Sequence, residues 1–254
     1  DTAFHANLPR RAYLYGLPLE YATEGGVRRY GFHGPSHDYV SRRAAEIIGS
    51  RREALKLVTL HLGNGASAAA VDRGVSIDTT MGFTPMEGLL MGTRSGDVDP
   101  GVVLHLLRGG MSVDEVDALL NKGAGLKGMS GVSNDLRDVT AAAAAGSSGA
   151  AAALDVFAYR VRKTVGAYAA AMGGLDAVVF TGGIGENSAW AREASLEGLG
   201  FMGIAVDAER NARAAEVISP AGAQVAVLVV KTDEELMIAN ATLAALAGRV
   251  DEEN

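Results

Sequence analysis

The sequence predicts a mixed α/β fold, because hairpin-linked strands are followed by segments in which strands and helices alternate. Residues 56–78 contain three short apolar segments separated by glycine-containing turns, a pattern typical of antiparallel strands. Farther along the chain, apolar segments at 175–181 and 224–231 each precede a helical segment. With 254 residues, 48% of them hydrophobic and 21% charged, the chain is long enough for one large domain or two small ones.

The first half of the chain is expected to hold one long helix and the hairpin strands. In order, we expect a loop-rich segment (1–35), a helix (36–48), strands at 56–62, up to Val71 and at 75–78, and an aperiodic stretch (79–101). Ser36 is the expected N-cap of the helix, and Gly49 is its expected C-terminal stop. Asp72-Arg73-Gly74 predicts the turn between the second and third strands.

The second half is expected to alternate helices with buried strands. In order, we expect helices at 102–107 and 112–121, an irregular glycine-rich stretch (123–138), two alanine-rich helices joined at 146–149 and reaching about Met172, a strand (175–181), a helix from Ser188, a strand (224–231) and a helix from about Asp233. Ser112 and Glu115 have the spacing of a capping box, and so do Thr232 and Glu235.

Composition argues against several classes of protein. The absence of cysteine excludes disulfides, thiolate metal sites and a cysteine nucleophile, and it fits a cytoplasmic location. With 30 acidic against 23 basic residues the net charge is −7, so we expect no nucleic-acid partner. The longest uncharged run, residues 139–154, is short and broken by glycine and serine, so we expect no membrane partner.

Glycine is unusually frequent: 33 of 254 residues are glycine, about 13% against the usual ~7%. Two glycine clusters, at 62–65 and 181–187, directly follow predicted strands, and a helix is expected after the second cluster. Without a Cβ atom, backbone N–H groups can approach an anion closely. Neither cluster is a Walker loop or a Gly-x-Gly-x-x-Gly fingerprint. We therefore predict nucleotide binding, with ordinary loops as the alternative.

Three further segments place polar groups between glycines or at a helix start: His33 within 30–37, Arg94 within 91–100, and the acidic segment 232–235. Each has a plainer explanation, as a turn, a surface ion pair or an acidic first helical turn. Together they favour phosphoryl transfer, which needs cations, a carboxylate for Mg²⁺ and a backbone cradle. A serine hydrolase is disfavoured because no Gly-x-Ser-x-Gly elbow is present, and a zinc site at His33 and His37 because Pro35 lies between them.

These segments resemble the acetate kinase family, whose motifs occur here in the same order. The matching segments are Asp1-Thr2-Ala3-Phe4-His5, Arg29-Tyr30-Gly31-Phe32-His33-Gly34-Pro35-Ser36-His37, His61-Leu62-Gly63-Asn64-Gly65, Met91-Gly92-Thr93-Arg94-Ser95-Gly96-Asp97, Gly183-Ile184-Gly185-Glu186-Asn187 and Thr232-Asp233-Glu234-Glu235-Leu236. Pro35 departs from the family pattern, which more usually has threonine at that position. The resemblance runs over the whole chain.

The resemblance implies a ribonuclease H-like domain of the actin/sugar-kinase/Hsp70 type, with a mixed sheet flanked by helices. It implies in-line transfer from ATP to acetate with Mg²⁺ or Mn²⁺, giving ADP and acetyl phosphate. Because a carboxylate is already ionised at pH 7, no general base is needed. The implied roles are phosphoryl charge stabilisation by His33 and Arg94; substrate and metal arrangement by Asp1; Mg²⁺ binding by Glu234; contact with the phosphates by His61, Leu62, Gly63, Asn64 and Gly65; and a nucleoside border formed by Asp135, Leu136, Arg137, Gly183, Ile184, Gly185, Glu186 and Asn187.

The resemblance also implies a domain organisation. Residues 1–232 correspond to the family's C-terminal, nucleotide-binding domain, and 233–254 to a helix that returns to an N-terminal domain expected to precede Asp1. Because that domain carries a phosphate-binding hairpin and substrate contacts, we expect no acetyl phosphate from these 254 residues alone. The alternatives are a propionate or butyrate kinase and a non-catalytic nucleotide-binding fragment. The family implies a homodimer.

Overall fold

A computed structural model describes residues 1–232, and they contain a five-stranded mixed sheet. The strands are β1 (Lys56–Leu62), β2 (Ala66–Asp72), β3 (Val75–Thr79), β4 (Ala177–Thr181) and β5 (Ala226–Val229). Their order in the sheet is β3-β2-β1-β4-β5. The pairs β1–β2 and β2–β3 are antiparallel, whereas β1–β4 and β4–β5 are parallel. The predicted mixed sheet, with hairpin strands first and parallel strands after them, is confirmed.

Eleven α-helical segments are present within residues 1–232, several of them only one turn long. They are α1 (Arg10–Tyr13), α2 (Glu20–Thr23), α3 (Gly34–Ile48), α4 (Pro100–Arg108), α5 (Val113–Ala118), α6 (Gly125–Ser130), α7 (Leu136–Ala144), α8 (Ser148–Met172), α9 (Gly182–Asn187), α10 (Ala189–Leu196) and α11 (Ala208–Ala212). Short 3₁₀ turns occupy Ala3–His5, Arg52–Ala54 and Leu199–Met202, and a π-helical turn occupies Leu119–Gly123.

Helices cover both faces of the sheet, and each strand divides its residues between the two faces. On β1, Leu57 faces α3, whereas Val58 and Leu60 face the side on which α8 lies. Both faces are fully buried at these positions, which is why β4 is almost entirely apolar and β1 carries apolar residues on both faces. The same alternation places Thr59 and His61 on the α3 face, where polar groups are unusual.

The start of α3 differs from the expected N-cap at Ser36. The helix begins at Gly34, and the residue that precedes it is His33, in a left-handed conformation with φ 56°. Pro35 fits the first turn because the N–H that it lacks would have no helical partner there. Ser36 is the third residue of the helix and fully buried, and its hydroxyl hydrogen-bonds His61 Nδ1 at 2.8 Å instead of capping the helix.

Two glycine-rich stretches for which the sequence predicts no helix are helical. The stretch 123–138 contains α6 and the start of α7, and close packing on α8 stabilises α6: a Cβ at Gly149 would lie 2.9 Å from the Met129 carbonyl oxygen. Residues 182–187 form α9, and a separate helix follows with Ser188 as its N-cap. The Ser112–Glu115 capping box and the break between α7 and α8 are confirmed. The helix expected from Asp233 lies outside the described residues.

Candidate active site

A cluster of histidines lies between the start of α3 and the sheet. His61 on β1 is paired in register with Ser67 on β2, so both side chains project from the face that α3 covers. From α3 and its N-cap come His37 and His33. The ring of His33 stacks on that of His61, with centroids 4.2 Å apart.

Buried hydroxyl groups connect these histidines. The Ser67 hydroxyl lies 2.9 Å from His33 Nδ1 and 2.7 Å from His37 Nε2. On the far side of His37, the Thr59 hydroxyl lies 2.8 Å from Nδ1. Thr59, Ser67 and His37 have no exposed surface at all. Of the two ends of this series of hydrogen bonds, only His33 reaches the surface, where it is partly exposed.

The stacked rings are neutral at pH 7. Burial, together with smaller contributions from the neighbouring His61 and Arg94, lowers the pKa of His33 from 6.5 to about 3. Burial likewise lowers the pKa of His61 to about 4. Between His33 and Arg94, only the guanidinium therefore carries a positive charge near pH 7, and His33 can act there through hydrogen bonding.

Arg94 and His33 meet above the bare α-carbon of Gly65. A Cβ atom at Gly65 would lie 3.4 Å from Arg94 Nη2 and 3.5 Å from His33 Nε2. The guanidinium is held from its other side, because Nη1 donates to the Pro85 carbonyl at 2.6 Å. The structure thus brings together two residues that are 61 positions apart in sequence (94 − 33), next to the glycine turn that follows β1. An anion at this point would meet a charged donor and an imidazole nitrogen.

A cavity of about 690 Å³ opens on the other side of the same glycine turn. Its lining residues are Gly63, Asn64, Asn134, Asp135, Leu136, Arg137, Thr140, Gly183, Ile184, Asn187, Ser188 and Trp190. The volume lies within the usual range of small-molecule sites. The turn after β1 and the helix α9 after β4 both border it, at the carboxyl ends of adjacent parallel strands, where α/β proteins commonly bind ligands.

Most residues predicted to bind the nucleotide line this cavity, and four lining residues were not predicted from the sequence. Asn134 donates to Asn64 Oδ1 at 2.9 Å and so fixes the side chain of the turn. Its position next to the predicted Asp135 could have indicated it. Thr140, Ser188 and Trp190 belong to no sequence motif. They reach the cavity only through the packing of α7 and α10, which the sequence does not reveal.

Five residues predicted for the nucleotide site do not line the cavity: His61, Leu62, Gly65, Gly185 and Glu186. His61 and Gly65 belong to the histidine–arginine cluster, while Leu62 and Gly185 are buried. The side chain of Glu186 binds backbone instead: Oε1 accepts from the N–H of Gly182 and from the N–H of Thr232, both at 3.1 Å. Glu186 therefore joins the start of α9 to the segment that leads to the acidic motif.

The rim of the cavity carries an exposed ion pair. Asp135 caps α7 by accepting from the Arg137 backbone N–H at 2.9 Å, and the Arg137 guanidinium binds the same carboxylate at 2.6 Å. These bonds lower the pKa of Asp135 to about 2. Both residues border the cavity, as expected, but Arg137 is 90% exposed, so its side chain can reorient towards a ligand.

Asp1 and Thr232, the first residue of the acidic segment, both contact the start of α3. The Asp1 carbonyl accepts from the Gly34 N–H at 2.8 Å, beside His33. Thr232, two residues before Glu234, has its hydroxyl 3.1 Å from that of Ser36. Glu234 itself, the predicted metal ligand, lies outside the described residues. Among residues 1–232, no three His, Asp or Glu side chains are grouped so that they could hold a metal ion.

A buried arginine that sequence reasoning missed holds the helix lining the cavity. Arg192, only 1% exposed, donates from Nη1 to the carbonyls of Gly185 and Glu186 at 2.8 and 2.9 Å. Its Nε and Nη2 donate to Asn211 Oδ1 and to the Asn211 carbonyl, each at 2.7 Å. The guanidinium thus binds the C-terminal carbonyls of α9, where a positive charge is favoured. No motif could have identified it.

Fold and site together define an α/β domain with a cavity at the carboxyl ends of its parallel strands and, beside it, a cluster in which a guanidinium meets an imidazole. The chain belongs to the acetokinase family, whose model matches residues 1–240. It is 56% identical over 246 residues to the acetate kinase of Shouchella clausii, covering 96% of this chain and 62% of that protein.

Solved structures support the same assignment. The structure resembles the acetate kinase of Porphyromonas gingivalis (TM-score 0.93, 48% identity, 97% of this chain and 63% of that one). It also resembles a propionate kinase from Francisella tularensis (TM-score 0.89, 43% identity, 94% of this chain and 61% of that one). The chain therefore spans a little over three fifths of the length of these relatives. None of the helices within residues 1–232 has the length and apolarity that crossing a membrane requires.

Proposed function

We propose that this chain provides the nucleotide-binding and phosphoryl-binding part of an acetate kinase, which converts ATP and acetate to ADP and acetyl phosphate. The observation that carries the proposal is the position of the His33–Arg94 pair directly beside the glycine turn that borders the cavity. This arrangement suits a nucleotide whose base and ribose occupy the cavity and whose phosphates extend past Gly63–Gly65.

The reaction needs little covalent chemistry from the protein. An acetate oxygen, ionised at pH 7, attacks the γ-phosphorus of ATP, and the bond from that phosphorus to the bridging oxygen breaks, releasing ADP. Charge on the transferring group is stabilised by the Arg94 guanidinium and by a hydrogen bond from His33. We assign Asp1 to arranging the carboxylate substrate and the metal, since its backbone adjoins His33.

Mg²⁺, or Mn²⁺, is part of the proposal. Mg²⁺ prefers one or two carboxylates together with substrate phosphates and waters, so it does not need a cluster made of protein groups alone. The carboxylate of Glu234 is the assigned ligand. Thr232, two residues earlier, is bonded to Ser36 and Glu186 beside the histidine cluster, which supports this assignment. When bound, the ion would neutralise charge on the phosphate oxygens.

Propionate or butyrate is the second candidate acyl substrate, and the likeness to a propionate kinase favours including it. A non-catalytic nucleotide-binding fragment is the remaining alternative. We also propose a cytoplasmic homodimer. An apolar surface around α4 supports the homodimer, with Val102, Leu104 and Val113 exposed by 46%, 49% and 72%. Sedimentation of the purified chain as a monomer would contradict that part.

The decisive experiment separates binding from turnover. Trp190, the sole tryptophan of the chain, lines the cavity, so its fluorescence reports nucleotide binding directly. We expect a saturable change with Mg-ATP, because this chain supplies the lining residues named above. Turnover is measured as acetyl hydroxamate, in the chain alone and in the chain joined to the remaining part of the Shouchella clausii relative, with acetate, propionate or butyrate as acceptor.

The matched variants are Arg94→Gln and Arg108→Gln. Arg94 faces the phosphoryl position, so its loss is expected to lower turnover of the joined chain about 10²–10³-fold while ATP still binds. Arg108 is exposed at the end of α4, so its replacement should change neither. Binding without any turnover in the joined chain would favour the non-catalytic alternative. Absence of ATP binding would overturn the proposed nucleotide site.

A further inference from the structure

The geometry points to a positioning role for Thr59, His37 and Ser67: this buried relay sets the tautomer of His33, with the proton on Nε2, facing Gly65 and Arg94. The inference rests on the proposed function, because it concerns the imidazole assigned to the phosphoryl group. It assigns a role to three further residues, which lie on the far side of His33 from Gly65 and Arg94.

The relay is a continuous chain of hydrogen bonds with one end buried. Its contacts run from Thr59 Oγ1 to His37 Nδ1 (2.8 Å), from His37 Nε2 to Ser67 Oγ (2.7 Å), and from Ser67 Oγ to His33 Nδ1 (2.9 Å). A neutral imidazole has one N–H donor and one acceptor nitrogen, and a hydroxyl has one proton to donate. Unless Ser67 accepts from both rings, which would leave its own buried proton without an acceptor at a cost, every bond in the relay therefore points the same way along it.

Two uniform directions are possible. In the outward direction Thr59 donates to His37, His37 donates to Ser67, and Ser67 donates to His33 Nδ1, which leaves the His33 proton on Nε2. In the inward direction every donor is reversed, so that His33 Nδ1 carries the proton and Nε2 presents a lone pair to the cleft.

Thr59 decides between the two directions. Its hydroxyl is fully buried and makes no side-chain bond within residues 1–232 other than the one to His37. In the inward direction Thr59 would accept from His37, and its own proton would be buried without an acceptor, which is costly. In the outward direction each proton of the relay has an acceptor. The structure therefore favours Nε2–H on His33.

The outward direction makes His33 complementary to an anion. His33 Nε2 and Arg94 Nη2 lie 3.5 and 3.4 Å from the position of a Cβ on Gly65, so two N–H donors converge there. In the inward direction one donor and one lone pair would meet at that point, and the lone pair would repel a phosphoryl oxygen.

The tautomers can be read directly from ¹⁵N NMR of histidine-labelled chain at pH 7, because the protein has only five histidines. Protonated and unprotonated ring nitrogens resonate in separate regions. We expect His33 and His37 both to carry the proton on Nε2. A proton on Nδ1 of either ring would overturn the proposed direction, whether or not the protein turns over ATP. Lack of turnover by the joined chain, together with the expected tautomers, would count against the proposed function alone.

Ser67→Ala tests whether the relay sets the tautomer. Without the hydroxyl, His33 Nδ1 has no partner, so we expect its two nitrogen resonances to shift towards each other as both tautomers become populated. Ser76→Ala is the matched control, because Ser76 is equally buried and its hydroxyl lies 2.7 Å from His5 Nδ1. It should change the His5 resonances and leave those of His33 in place. Unchanged His33 resonances in folded Ser67→Ala would overturn the role of Ser67. If that variant does not fold, the paired tautomers of the wild type still decide the direction.

Discussion

The ring of His33 lies on the ring of His61, with centroids 4.2 Å apart and planes inclined by 27°. Two imidazolium ions could not be accommodated at this distance in a buried site, and burial lowers the pKa of each ring well below 6.5. The same holds for His5, whose pKa falls to about 4, and for His37. Four of the five histidines therefore form one neutral cluster at pH 7.

The neutral cluster predicts a loss of stability below pH 6.5. The unfolded chain binds protons at its histidines near pH 6.5, whereas the folded rings resist protonation until about pH 3 or 4. The unfolded state thus binds more protons in between, so the free energy of unfolding falls as the pH falls, by at most about 1.4 kcal/mol per pH unit for each ring. Urea denaturation at pH 7.5, 6.5, 5.8 and 5.0 measures this slope.

Two histidine variants make the pH test specific. His5→Gln removes one buried ring. The slope of its unfolding free energy against pH should therefore be smaller than that of the wild type by the contribution of about one bound proton. His105→Gln changes an exposed side chain on α4 and should leave the slope unchanged. A stability that does not vary between pH 6.5 and 5.0 would show that the cluster is not neutral.

Adjacent glycines at the start of α9 predict opposite effects of the same substitution. Gly182 has φ +77°, and a Cβ there would lie 2.7 Å from the Leu62 carbonyl oxygen. Gly182→Ala should therefore lower the free energy of unfolding by about 1–3 kcal/mol. At Gly183 a Cβ meets open space in the cavity lining. Gly183→Ala should leave stability unchanged or slightly higher, yet weaken ATP binding in the Trp190 titration. Equal ATP affinity in Gly183→Ala would contradict close approach of the nucleotide to this backbone.

The parts of the fold that depend on local sequence could be predicted. β1 matches its predicted bounds, residues 56–62, because it is rich in leucine and valine and ends at the Gly63-Asn64-Gly65 turn. The Ser112–Glu115 capping box needs only residues three apart. By contrast, the sequence predicts a cap at Ser36 because its partner His61 lies 25 positions away, and it places no helix at 182–187 because it carries no signal for the buried Arg192 that binds α9.

In the candidate site, too, some residues could be predicted from the sequence and others could not. Glycine-flanked His33 and Arg94 stand out in the sequence, and the structure brings them together. Their support does not stand out: Ser67 sits among alanines, and Thr59 is one β-branched residue in an apolar strand. Only strand register and the packing of α3 place these hydroxyls beside histidine rings. A linear sequence carries no signal for such long-range contacts.

Two arginines near the cavity predict a separation of stability from binding. Arg192 is buried and donates to four carbonyl or amide oxygens, so Arg192→Met should lower the free energy of unfolding by about 3 kcal/mol or more. Arg137 forms an exposed ion pair, so Arg137→Met should change stability by less than about 1 kcal/mol but weaken ATP binding at the rim. Urea denaturation and the Trp190 titration measure both. A stable Arg192→Met would show that α9 does not depend on the buried guanidinium.

Glu186 predicts a metal-dependent defect, because its carboxylate binds backbone and does not line the cavity. Oε1 accepts from the Thr232 N–H at 3.1 Å, and Thr232 begins the acidic motif that contains Glu234. Glu186→Ala breaks this link, so ATP affinity should fall more in the presence of Mg²⁺ than in EDTA. Glu186→Gln keeps an oxygen acceptor at the same position and should behave nearly like the wild type. An equal loss with and without Mg²⁺ would instead assign Glu186 to the cavity, through its second bond to the Gly182 N–H at the start of α9.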